Sequence, residues 1–72
     1  MTKSQIHNLL AEITEIVFER RISSFIKQCN LDDYLREKGV EPKEVIQVVQ
    51  EDVSHPNTRN RLLEVLKDII NN

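Results

Sequence analysis

Apolar residues recur along this chain at the spacing of a helix face. Ile6, Leu9, Leu10, Ile13, Ile16 and Val17 follow one another at intervals of three and one, which lines one side of an α-helix. Ser4 stands just before them as the expected N-cap. From Phe18 onward the apolar residues are Phe18, Ile22, Phe25, Ile26 and Cys29. On the same wheel they form a second stripe, rotated from the first by roughly 160°. Glu19, Arg20 and Arg21 mark the changeover. The pattern over residues 4–29 is that of a long, bipartite first helix. It either breaks near residues 19–24, with Ser23-Ser24 as the weak point, or stays straight and buries two faces against two partners.

The remaining segments are shorter. Residues 30–38 read as a helix capped by Asn30, with Asp32 and Asp33 in the first turn and Leu31, Tyr34 and Leu35 on the apolar face. Gly39 falls where a left-handed C′ residue belongs, with Val40 placed to touch Leu35. Pro42 suits the first position of a third helix, with Val45, Ile46, Val48, Val49 and Val53 on one side. A fourth helix follows Pro56, capped by Asn57 or Thr58, with Leu62, Leu63, Val65, Leu66, Ile69 and Ile70 on its apolar side. The tight connection at Ser54–Thr58 predicts that the third and fourth helices form an antiparallel hairpin. The expected fold is an all-α bundle of three to four helices in a single domain spanning residues 1–72.

Size sharpens this picture. A chain of 72 residues has one core, which at this length supplies only about 3–5 kcal/mol unless a staple adds to it. The single cysteine, Cys29, cannot close an internal disulfide, and no Cys/His cluster has metal-ligand spacing. Well-formed helices or self-association are left. Ten basic and twelve acidic residues leave a net charge of -2, the wrong balance for a general nucleic-acid or anionic-membrane binder. No apolar run approaches a membrane span, no signal-peptide pattern stands at the N-terminus, and a lone thiol suits a reducing compartment, so the cytoplasm is the expected location.

Candidate chemistry is sparse. His7 and His55 are isolated and read as surface residues. No glycine-rich loop cradles a phosphate. The carboxylates Glu12, Glu15 and Glu19 are spaced as a wetted helix face. No catalytic residue, metal ligand, cofactor or small-molecule substrate is assigned. Asp52 and Arg59 lie within the apolar arcs of the third and fourth helices, beside the turn, and are expected to pair across it.

Residues 31–54 have the spacing of a helix-turn-helix: Tyr34 and Leu35, then Gly39 and Val40, then Val45 and Val48. Gln47 and Gln50 on the second helix suit adenine, but Glu44 and Glu51 beside them repel phosphate. Residues 42–70 resemble a single unit of a HEAT or armadillo repeat. Such units stack in arrays of about three or more, so the resemblance implies no function for one unit. The reading that remains is a small, non-catalytic interaction protein of regulatory or adaptor type that binds a protein partner. It is expected as a homodimer, with Ile6, Leu9, Leu10, Ile13, Ile16 and Val17 at the interface. DNA binding through residues 31–54 is the alternative.

Overall fold

Thr2, rather than Ser4, opens the first helix in the computed structural model, which describes residues 1–71. The Thr2 hydroxyl accepts from the Gln5 backbone N–H (3.2 Å), and the Gln5 side-chain carbonyl accepts from the Thr2 N–H (2.9 Å). This reciprocal box satisfies two donors that the first turn would otherwise leave open. Helix α1 runs Lys3–Val17 and ends at Phe18, whose N–H still reaches the Thr14 carbonyl at 2.9 Å.

The chain does not continue straight from there. Glu19 Oε1 accepts from the backbone N–H of Arg21 (3.0 Å), and the two carboxylate oxygens take Arg21 Nε and Nη2 at 3.0 and 3.1 Å. A side chain bonded two residues onward offers the backbone an alternative to the helical ladder. Ser23 then starts a new helix, its hydroxyl accepting from the Ile26 N–H at 3.3 Å. Helix α2 covers Ser24–Lys38 without interruption. The long first helix is therefore two helices with a turn at residues 18–23. The separate segment expected to begin at Asn30 does not exist, because Ser23 has already provided the cap and Asn30 lies inside α2.

The end of α2 follows the Schellman pattern expected for it. Gly39 has φ 71° and ψ 32°, a left-handed conformation open to glycine at no steric cost. Its N–H reaches the Arg36 carbonyl, and the Val40 N–H reaches the Leu35 carbonyl, each at 3.1 Å. Val40 is buried. Helix α3 spans Pro42–Asp52, with Pro42 at its first position and the Glu44 carboxylate accepting from the Glu41 N–H at 3.1 Å. Helix α4 spans Pro56–Asn71. Neither Asn57 nor Thr58 caps it. The His55 ring does, with Nδ1 accepting from the Thr58 N–H at 3.3 Å while the His55 carbonyl takes the Arg59 N–H at 2.9 Å.

One core joins the four helices. Ile6, Ile13 and Val17 of α1 meet Leu31 and Leu35 of α2, Val45, Val48 and Val49 of α3, and Leu62, Val65 and Leu66 of α4. Helices α3 and α4 make the most extensive contact, α1 touches all three others, and α2 packs on α1 and α4. Helices α2 and α3 scarcely touch although they are neighbours in sequence. The radius of gyration is 11.1 Å, matching the ~11 Å of a self-contained chain of this length. One chain thus encloses its own core.

The stripe expected at a dimer interface is part of that core. Ile6, Ile13 and Val17 are at most 3% exposed, and Leu9, Leu10 and Ile16 are half-buried against the same cluster. The reason is the turn at residues 18–23. It gives each stripe its own helix, so α1 can direct one face inward without having to cover the second.

This division sets a contrast in stability. Ile13→Ala removes a fully buried side chain and is expected to cost about 2–5 kcal/mol. Phe25→Ala, on the outside of α2, is expected to stay within about 0.5 kcal/mol of the parent. Urea unfolding followed by circular dichroism measures both, and equal losses would contradict the core described here.

Candidate functional site

The capping of α2 by Ser23 determines which residues its outer face carries. With Ser24 as the first helical residue, Lys27, Leu31 and Leu35 point toward the core and are buried. Phe25, Ile26 and Cys29 then occupy an arc of about 100° on nearly the opposite side. They are exposed: Phe25 by 71% and Ile26 by 46%, with the Cys29 thiol open to solvent. Phe18, at the end of α1, adds a second aromatic ring at 44% exposure, and Ile22 in the turn is half-buried. The stripe from Phe18 to Cys29 is thus the one that the chain leaves uncovered. A second copy was expected to cover the α1 stripe; the exposed apolar residues lie on α2 instead.

The borders of this face are charged. Glu19 and Arg21 clasp each other, and the Arg21 guanidinium holds the Glu19 carboxyl down at about 2. Asp32 takes Arg36 Nε at 3.3 Å, one helical turn on. Lys27, on the inward side of α2, is buried, with 9% of its surface exposed. Gln28 donates to the Asp68 carbonyl at 3.3 Å and fastens α2 to the last turns of α4.

A second polar cluster ties the start of α1 to the end of α3. Lys3 Nζ lies 2.8 Å from Glu51 Oε2 and 3.3 Å from Asp52 Oδ1, and His7 Nδ1 lies 3.3 Å from Asp52 Oδ2. Lys3 is held protonated beyond its usual range, first by Glu51 and then by Asp52, while Lys3 and then Gln47 hold the Glu51 carboxyl below its own range. Two carboxylates at the C-terminal end of α3 oppose the helix dipole, and a cation arriving from α1 offsets them. Asp52 therefore pairs with Lys3 and His7, not with the expected Arg59, and among the described residues Arg59 forms no ion pair. The pairing across the α3–α4 turn was inferred from neighbours in sequence, whereas the real partners lie 45 or more positions away in the chain.

The proposed DNA-reading helix is differently engaged. Gln47 donates to Glu51 at 3.3 Å, and Glu51 holds Lys3. Among the described residues no group of three or more His, Cys, Asp or Glu could hold a metal ion, and no helix is long and apolar enough to cross a membrane.

Among the described residues, Tyr34 is the one titratable group pushed far by burial. Its hydroxyl is screened from solvent and makes no hydrogen bond of regular geometry. Burial, and after it the nearby Glu12 carboxylate, raises its pKa to about 12. Lys38 Nζ sits 5.6 Å from the ring centroid, where the face of an aromatic ring attracts a cation.

Comparison with protein-family models, with curated proteins and with solved structures finds no match for this chain.

The Tyr34 environment predicts a spectroscopic result. With one tyrosine and no tryptophan, the ultraviolet band of the phenolate reports this group alone. It is expected to appear near pH 12 in the folded chain and near pH 10 in the unfolded chain. A raised pKa means that the folded state keeps its proton longer, so this contribution to stability is complete below about pH 10 and is lost as the pH rises toward 12. A folded-state midpoint near 10 would contradict the buried hydroxyl.

Proposed function

We propose that this chain is a small, non-catalytic protein–protein interaction module of regulatory or adaptor type, acting through the outer face of α2 and associating as a homodimer. The observation that carries this reading is the 71% exposure of Phe25 on the same face of α2 as the exposed Ile26 and Cys29, with Phe18 at the end of α1 exposed as well. A chain with few aromatic residues would gain by burying each of them. Placing both phenylalanines outside costs core that a protein of this size can ill spare. Contiguous apolar surface rimmed by charge is the ordinary mark of an interaction site. In this reading α3 and α4 form the antiparallel hairpin that closes the bundle behind α2, and the protein acts in the cytoplasm, where the exposed thiol stays reduced.

The alternative, DNA reading by residues 31–54, has less behind it. The two helices of a helix-turn-helix brace each other, whereas α2 and α3 scarcely touch. The net charge of -2 adds no attraction for phosphate.

Sedimentation equilibrium across the micromolar range tests the proposal. Self-association that rises with concentration is expected for the parent chain. Phe25→Asp is expected to weaken it at least tenfold while leaving the thermal melt unchanged. A parent that stays monomeric at every concentration, or association indifferent to Phe25→Asp, would overturn the assignment.

A further inference from the structure

We infer that the cavity between the first turn of α2 and the facing side of α4 is a binding site for a phosphate group. The inference is independent of the reading of the outer face of α2 and shares only Phe25 with it.

The cavity has a volume of about 230 Å³ and is walled by Ser24, Phe25 and Lys27 of α2 and by Arg61, Glu64 and Asp68 of α4. Lys27 carries the argument. It is nine-tenths buried, at 9% exposure, and among the described residues its side chain forms neither a hydrogen bond nor an ion pair. A buried ammonium without a partner is unfavourable. Its place in the fold makes it more so. Lys27 is the fourth residue of α2, and helical side chains lean toward the N-terminus of their helix. Its charge therefore lies near the positive end of the α2 dipole, where a cation is disfavoured and an anion is stabilised. Glu64 and Asp68 stand on the facing wall, yet neither pairs with it. An anion bound in the cavity would answer both the lysine and the dipole.

Other donors line the same space. The Ser23 cap takes up the N–H groups of Ile26 and Lys27 only. Those of Ser24 and Phe25 have no acceptor among the described residues, and free N–H groups at a helix start suit a phosphate. Arg61 is partly buried and meets Glu64 through one nitrogen at 3.4 Å. That is longer than the ~2.7–2.9 Å of a firm charge-assisted bond, and it leaves the rest of the guanidinium fork able to donate. Asp68 lies at the level of Gln28, which donates to its carbonyl, about 10 Å from Arg61 along α4.

Two cations and a helix start suit a dianion better than a singly charged carboxylate. Glu64 and Asp68 oppose it and keep the affinity in the millimolar range. The exposed Phe25 ring in the cavity wall offers a flat apolar surface for the organic part of a phosphate monoester.

Amide NMR titrations of the full chain with inorganic phosphate and with phenyl phosphate, at constant ionic strength, test the site. Phenol serves as the control for apolar contact alone. Both phosphates are expected to give saturating shifts centred on Ser24, Phe25, Lys27 and Arg61, and phenol none at the same concentration. Tighter binding of phenyl phosphate identifies a monoester as the ligand; equal binding identifies free phosphate. Lys27→Met, which removes the charge at similar length, and Arg61→Gln are each expected to weaken binding at least fivefold, with a thermal melt confirming the fold. Should Lys27→Met fail to fold, Arg61→Gln at its partly exposed position decides alone. Shifts that do not saturate, that phenol reproduces, or that survive the substitutions would overturn the site.

Discussion

The helix that starts at Thr2 has to end before residue 19, and the rest of the molecule depends on that ending. Carried straight through Cys29, it would present two apolar stripes about 160° apart, too much for three short helices to cover. The Glu19–Arg21 clasp and the Ser23 cap break it. After the break, α1 commits its stripe to the core through Ile6, Ile13 and Val17. Helix α2 is free to take a different orientation, with Leu31 and Leu35 inward and the Phe25 stripe outward. A few polar contacts in a six-residue turn therefore decide which hydrophobic surface is structural and which remains available.

The core is built largely from branched aliphatic side chains, with valines prominent in α3. Such residues lose side-chain freedom in a helix, so α3 owes its stability to packing on α4 and α1 more than to propensity. Its ends are well supplied: Pro42 and the Glu44 side chain at the start, Lys3 compensating Glu51 and Asp52 at the finish. That last contact also anchors the beginning of the chain, drawing α1 across α3 and helping to seat Ile6.

What could be read from sequence followed the range of the interaction concerned. The Gly39–Val40 ending and Pro42 at the start of α3 are local, each determined by residues within one turn, and both were legible. The inward faces of α3 and α4 were legible because burial on one side leaves a clear period. Three caps were misplaced. Thr2 with Gln5 outcompetes Ser4, and the His55 ring does a task usually given to oxygen. The Asn30 boundary failed because Asn30 suits a cap, yet Ser23 lies upstream and nothing between them stops a helix. The Asp52 partners were out of reach, since periodicity says nothing about which distant helix end arrives alongside. The two stripes themselves were plain in the sequence. Which of them the chain covers was not, because that depends on the direction α2 takes after the turn.

In the proposed function, the stripe from Phe18 to Cys29, and not the stripe from Ile6 to Val17, is the surface this protein offers to others. Amide NMR spectra of the full chain, recorded from dilute to concentrated solution, test it most directly. The resonances moving with concentration are expected to cluster between residues 18 and 33, while those of Ile6, Ile13 and Val17 stay fixed. Movement concentrated in Ile6–Val17 would contradict it, as would spectra that do not change with concentration at all.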